Sequence, residues 1–106
     1  MVSLIADRLD QIRSLCEKYN VAALWLFGSA TREDFDPARS DLDFVVEFQS
    51  LPRRGFDDVY FKLQVDLRAL FGREVDLIER HVMERSENPY RRRAILSSLE
   101  PVYAAA

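Results

Sequence analysis

Three aspartates lie in or beside apolar segments, where carboxylates are unusual. Asp41 and Asp43 open the apolar segment 41–48, and Asp76 has an apolar residue on either side. Aspartate is disfavoured in strands, and two like charges near a desolvated edge repel each other. A divalent cation relieves this repulsion, because carboxylates are the hard oxygen ligands that Mg²⁺ prefers. These residue types therefore predict a magnesium site.

The spacing of the aspartates indicates the kind of reaction that such a site would serve. On a strand, Asp41 and Asp43 project from the same face, with Cα atoms about 6.6 Å apart. If the strand that contains Asp76 is the neighbouring one, the three carboxylates could hold two Mg²⁺ ions about 3.5–4 Å apart. Two ions at that separation suit an in-line displacement at phosphorus.

The pair Gly28-Ser29, which ends an apolar segment, complements the carboxylates. Glycine lets the backbone approach a phosphate closely, and a helix that begins at Ser29 would present free N–H groups to an anion. The Ser29 hydroxyl adds a hydrogen-bond donor. Arg32, one turn later, adds a positively charged guanidinium that can donate two parallel hydrogen bonds to phosphate. The segment therefore predicts binding of a nucleoside triphosphate together with magnesium.

Alternating helical and strand patterns predict the elements that must position these residues. Apolar residues at helical spacing predict a helix over 3–19, with Ser3 as N-cap, and a helix over 57–71, capped by Asp57 or Asp58. Gly72 follows the second helix as its C′ glycine. Asn88-Pro89 opens a last helix, to about residue 99. Strands are predicted over 21–27, 41–48 and 73–79, with a short edge strand near the C-terminus.

This order of elements predicts an α/β or α+β fold, in which a small sheet is flanked by helices. The length of 106 residues predicts one domain, residues 1–106. Hydrophobic residues make up 48% and charged residues 31% of the chain, which is typical of a globular protein. The lone Cys16 excludes an internal disulfide, and we expect it to be a buried helix residue.

Charge and hydropathy limit the partners. The net charge of −3 gives no general attraction to nucleic acid, which is therefore not expected as a direct substrate. The longest apolar run is too short for a membrane span, and the N-terminus lacks the features of a signal peptide, so a cytoplasmic protein is expected.

The motifs "GSATR" and "SDLDFVV" resemble the signature of the polymerase-β-type nucleotidyltransferase superfamily. That signature is Gly-Ser, a spacer and Asp-x-Asp, and "REVDLIE" matches the later strand whose aspartate completes the triad. The whole chain is similar to the minimal nucleotidyltransferases, or MNT domains. This group includes the MntA antitoxins, which are encoded beside HEPN-domain toxins.

The resemblance implies a small mixed β-sheet flanked by helices. It also implies transfer of a nucleoside monophosphate, AMP from ATP by resemblance alone, to an acceptor hydroxyl with two Mg²⁺ ions. Asp41 and Asp43 correspond to the metal-binding pair, and Asp76 to the third carboxylate, which assists deprotonation of the acceptor. Gly28 and Ser29 correspond to the triphosphate cradle.

Arg32 corresponds to an arginine that faces the phosphates in the small members of the group. The chain departs from the pattern at Ala30, where arginine is frequent, and at Glu33, where glycine is frequent. These departures bear on the affinity for triphosphate, because they remove a positive charge and add a negative one. They leave the three aspartates unchanged.

Three readings of the function stay open. The first is an AMP transferase that modifies a tyrosine of a partner HEPN-domain toxin, since the chain has no room for an acceptor-binding domain. The second is an antitoxin that acts by binding alone, with a weak or vestigial site. The third is a transferase for a small molecule such as an aminoglycoside, completed by dimerisation. The roles of His81 and of the three arginines, Arg91, Arg92 and Arg93, also stay open, with a solvated surface as the simplest reading.

Overall fold

The computed structural model describes residues 3–28, 41–49 and 56–105, without the side chains of residues 56 and 57. The helices are α1 (Ser3–Ala6), α2 (Leu9–Lys18), α3 (Phe56–Phe71), α4 (Arg80–Glu84) and α5 (Pro89–Ser97). The strands are β1 (Val21–Phe27), β2 (Leu42–Phe48), β3 (Val75–Glu79) and β4 (Glu100–Ala104). Within these residues, no helix has the length and apolar character that crossing a membrane requires.

The four strands form one mixed sheet in the order β3-β2-β1-β4. β1 is antiparallel to both β2 and β4, whereas β2 and β3 are parallel. The predicted edge strand is therefore present as β4, beside β1. A mixed sheet flanked by helices confirms the predicted fold class.

The larger core lies between one face of the sheet and helices α1, α2 and α3. From β2 it takes Leu42, Phe44 and Val46, alternate residues that share one face of the strand. Helix α3 contributes Leu63 and Leu67 from its apolar stripe, and both are fully buried. The list of buried members is completed by Ile5, Ile12, Cys16, Val21, Leu24, Leu26, Phe71, Val75 and Leu77.

A smaller core covers part of the opposite face of the sheet. Val45 of β2 packs there with Met83 of α4 and Ile95 of α5, and all three are buried. Trp25 and Phe27 of β1 are partly buried against the same cluster. This packing holds α5 over the face of the sheet to which Asp43 also belongs.

The prediction of one continuous helix over 3–19 is wrong, because the helix is broken between α1 and α2. At the break the Arg8 N–H donates to the carbonyl oxygen of Ile5, three residues back, at 3.0 Å. The Arg8 guanidinium also donates to the carbonyl oxygen of Leu4 at 3.1 Å. Ser3 is the first residue of α1, so the prediction that it caps a helix over 3–19 is wrong.

Two further helix starts differ from the prediction. α3 begins at Phe56, so neither Asp57 nor Asp58 is its N-cap. The short helix α4 was not predicted, and the carboxylate of Glu79, the last residue of β3, caps it. That carboxylate accepts hydrogen bonds from the N–H groups of His81 and Val82 at 2.8 and 3.2 Å.

Candidate active site

The centre of the candidate site is a pair of facing aspartates on neighbouring strands. In the parallel pairing of β2 and β3, Asp43 lies directly beside Asp76. Each strand alternates its side chains between the two faces, so both carboxyl groups project on the face opposite the larger core. The sequence-based expectation that the strand of Asp76 would lie beside the strand of Asp43 agrees with this pairing.

The two carboxyl groups are close enough to form a hydrogen bond with each other. Partial burial, the hydrogen bond with Asp76 and the negative charges of Asp76 and Asp41 together raise the pKa of Asp43 to about 6. Burial is the largest of these causes. Above about pH 6 Asp43 is therefore mostly ionised, and a cation would offset the negative charge of the two facing carboxylates.

Asp41 lies just before β2 and is exposed to solvent. Its negative charge contributes to the raised pKa of Asp43, which places it near the facing pair. Across residues 3–28, 41–49 and 56–105, no group of three or more His, Cys, Asp or Glu side chains is arranged to hold a metal ion. The protein thus brings Asp43 and Asp76 together and leaves Asp41 at the rim.

The donor set is compatible with magnesium even without a third preformed ligand. Mg²⁺ in phosphate-transferring sites commonly takes one or two carboxylates, with the other ligands supplied by water and substrate phosphates. Asp43 and Asp76 supply two such carboxylates, whose mutual repulsion a cation would relieve.

Gly28 directly follows β1 beside this pair, and its backbone conformation favours glycine. Its φ is +75°, in the left-handed region. A Cβ atom at this position would lie 2.8 Å from Oδ2 of Asp43, closer than real Cβ contacts allow. Gly28 therefore leaves the room that the Asp43 carboxylate occupies. Ser29 and Arg32, the other predicted contacts to phosphate, lie outside the described residues, as do Ala30 and Glu33.

An open pocket of about 500 Å³ gives access to the facing aspartates. Besides Asp43 and Asp76, the residues that line it are Phe27, Tyr60, Gln64, Leu77, Ile78 and Arg91. Burial, and then the negative charge of Asp76, raise the pKa of Tyr60. The pocket is thus lined by the two aspartates of the sheet together with side chains from α3 and α5.

Helix α3 holds β3 in place through two side chains that lie on either side of Asp76. The Tyr60 hydroxyl donates to the carbonyl oxygen of Leu77. Nε2 of Gln64 donates to the carbonyl oxygen of Val75 at 2.9 Å. β3 is at the edge of the sheet, so these bonds satisfy carbonyls that have no strand partner. They fix the backbone from which Asp76 projects.

Tyr60, Gln64 and Arg91 are pocket residues that the sequence did not identify as such. The helical spacing of Tyr60 is typical of a core residue and gives no sign of the hydrogen-bond partner of its hydroxyl. Only the packing of α3 and α5 around the sheet brings these residues to the aspartates. His81 is exposed in α4 and does not line this pocket.

Comparisons with known proteins agree with this geometry. The family model described as the nucleotidyltransferase domain matches residues 10–102 of the chain. A solved protein assigned as a minimal nucleotidyltransferase is 28% identical, with a TM-score of 0.62 over 91% of this chain and 90% of that one. No curated protein matches the chain at a significant level.

Two solved toxin–antitoxin complexes share the fold. One holds a tri-AMPylated HEPN toxin from Shewanella oneidensis with an MNT antitoxin. The similarity has 16% identity and a TM-score of 0.61, over 95% of this chain and 73% of that one. The other is a toxin–antitoxin complex with AMP-PNP, at 15% identity and a TM-score of 0.62, over 92% and 73% of the two chains.

The family match spans most of the chain and includes both strands that carry the facing aspartates. The predicted resemblance and the expectation of a nucleotidyltransferase are therefore confirmed at the level of the family. The chain belongs to the nucleotidyltransferase domain family.

Proposed function

We propose that this protein moves AMP from ATP to a tyrosine hydroxyl of a HEPN-domain toxin and thereby neutralises the toxin. The observation that carries the proposal is the pair of facing carboxylates, Asp43 and Asp76, beside the turn at Gly28. The proposal takes residues 1–106 as one catalytic domain that acts in the cytoplasm, where ATP is present.

In the proposed reaction the acceptor oxygen attacks the α-phosphorus of ATP. A new oxygen–phosphorus bond forms, the bond to the bridging oxygen breaks, and pyrophosphate leaves. Asp76 would accept the proton of the acceptor hydroxyl, because it is exposed and lines the pocket beside Asp43. Tyr60 and Gln64 hold the strand on which Asp76 lies.

Asp41, Asp43 and Asp76 would hold two Mg²⁺ ions in this proposal. When bound, magnesium supplies positive charge that offsets the charge of the phosphates and of the carboxylates. Gly28 leaves space for the Asp43 carboxylate, and Ser29 and Arg32 would contact the phosphates.

The proposed acceptor is supported by the toxins and nucleotides present in structures with a similar fold. One of the similar complexes contains a HEPN toxin that carries AMP groups, and another contains AMP-PNP. The HEPN-domain toxin is thus the partner that we infer for this chain.

The test is transfer of label from α-phosphate-labelled ATP to protein in a lysate of the native host. Wild-type protein with Mg²⁺ is compared with the double variant Asp41→Asn/Asp43→Asn. The matched control is Glu47→Gln, which neutralises another carboxylate of β2 at the opposite end of the strand. We expect one labelled protein band with wild type and with Glu47→Gln, and none with the double variant.

Other outcomes select the other readings. Label that reaches only a small molecule would indicate a small-molecule acceptor. Toxin neutralisation that survives in the double variant, without any labelled protein, would indicate an antitoxin that acts by binding alone. Equal labelling by the double variant would contradict the proposed role of the aspartates.

A further inference from the structure

The three consecutive arginines at the start of α5 have different surroundings. Arg91 lines the pocket that contains Asp43 and Asp76. Arg92 is half-buried, and its Nη1 donates to the carbonyl oxygen of Ser86 at 3.2 Å. Arg91 and Arg93 are both exposed, but Arg93 does not line the pocket. This difference follows from the helix, in which successive side chains point about 100° apart.

The backbone at Arg91 is held in place by a helix cap. Oδ1 of Asn88 accepts hydrogen bonds from the N–H groups of Tyr90 and Arg91, both at 3.1 Å. Further along α5, Ile95 is buried against Val45, two residues after Asp43 in β2. The first turn of α5 is therefore fixed relative to the strand that carries one of the facing aspartates.

Arg91 is a cation without a counter-ion in the described part of the chain. It shares the pocket with two carboxylates, yet the ion pairs formed among the described residues do not include it. Arg91 and the two carboxylates therefore border the same open space without an ion pair between them. A bound cation on the carboxylates would make that space attractive to an anion, because the charges would then alternate across the pocket.

We propose that Arg91 binds a phosphate group of the nucleotide in this pocket. The proposal rests on the proposed function, and it adds a phosphate contact from the opposite wall to those predicted at Gly28, Ser29 and Arg32. Arginine suits this role, because its planar fork donates two parallel hydrogen bonds to phosphate oxygens and it stays charged at all working pH values.

The experiment measures ATP affinity and transfer kinetics for three variants with Mg²⁺ present. Arg91→Ala removes the fork, Arg91→Lys keeps the charge, and Arg93→Ala makes the same charge change on the same helix outside the pocket. Circular dichroism verifies that each variant is folded. We expect Arg91→Ala to weaken ATP binding about 10- to 100-fold, the range for loss of a hydrogen bond to a charged group. Arg91→Lys should restore part of the affinity, and Arg93→Ala should bind ATP as wild type does.

Several results would overturn the inference. They are unchanged ATP affinity in Arg91→Ala, equal weakening in Arg91→Ala and Arg93→Ala, or a higher KM for the acceptor with unchanged ATP affinity. Failure of the proposed function would look different. If wild-type protein binds ATP but transfers nothing to protein, the proposed acceptor is wrong, while the effect of Arg91→Ala on ATP affinity still decides the role of Arg91. If wild-type protein binds no ATP, both proposals are wrong.

Discussion

Replacement of Gly28 by alanine tests whether the turn after β1 is shaped to leave room for the Asp43 carboxylate. Gly72 offers a matched control, since its φ is +64° but a Cβ there would meet no atom within 4 Å. Both substitutions strain a left-handed backbone, at about 1–2 kcal/mol. Each also lowers the entropy of the unfolded chain, which offsets roughly 0.4–1 kcal/mol. We therefore expect Gly72→Ala to cost about 1 kcal/mol.

Gly28→Ala carries an additional cost, because its Cβ would lie 2.8 Å from Oδ2 of Asp43. The Asp43 side chain has to leave its rotamer, at about 0.5–1.5 kcal/mol, and its hydrogen bond with Asp76 is weakened. We expect a total loss of about 2–3 kcal/mol of unfolding free energy from these terms. For a domain of this size, each kcal/mol lowers Tm by roughly 4–8 °C.

The assay combines urea denaturation with AMP transfer, measured well below the Tm of each variant. Gly28→Ala should be less stable than Gly72→Ala and should lose most of its transfer activity, because the Asp43 carboxylate is displaced. Gly72→Ala should keep wild-type activity. Equal stability of the two variants, together with full transfer by Gly28→Ala, would show that the turn does not make room for the Asp43 carboxylate.

Three further predictions concern ionisation and hydrogen bonding. The pKa of Asp43 is raised to about 6, so its ionisation favours the unfolded state, and this destabilisation develops as the pH rises from about 4 to above 6. In metal-free protein, the difference in free energy of unfolding between Asp43→Asn and wild type should grow in favour of the variant by about 1 kcal/mol between roughly pH 5 and pH 7.5, after allowance for solvent screening. A difference that stays constant with pH in urea titrations would contradict this prediction. Burial raises the pKa of Cys16 to about 12, so a thiol reagent should label the protein only in denaturant, and rapid labelling of native protein would contradict the burial. Tyr60→Phe removes the hydrogen bond to the Leu77 carbonyl and should lower the free energy of unfolding by about 1 kcal/mol in urea denaturation. The control Tyr90→Phe changes a tyrosine that is 84% exposed and should leave the free energy of unfolding unchanged. Equal effects of the two substitutions would count against the Tyr60 hydrogen bond.

The parts of the fold that the sequence predicts well are those set by local periodicity. The continuous apolar run of β1 predicts its bounds, 21–27, and alternation in β2 predicts which of its residues join the larger core. Alternation also places Asp43 and Asp76 each on the face of its strand opposite the core residues, before the strand order is known. Burial of Cys16 follows from its helical spacing in the same way.

The parts that the sequence does not predict depend on tertiary contacts. The break between α1 and α2 involves hydrogen bonds of Arg8 that have no pattern in the sequence. The cap of α4 comes from Glu79, a strand residue, rather than from a usual N-cap type. Arg91 is indistinguishable from its two neighbours until the packing of α5 directs it to the pocket.

Under the proposed function, Asp43 and Asp76 act together to transfer AMP to a protein hydroxyl. The most direct measurement is the intact mass of a purified HEPN-domain toxin from the same host after incubation with ATP, Mg²⁺ and this protein. Wild type and Glu47→Gln should increase the mass of the toxin by one or more AMP groups, whereas Asp43→Asn and Asp76→Asn should leave it unchanged. An equal increase in mass with either aspartate variant, or neutralisation of the toxin by wild type without any increase, would contradict the account.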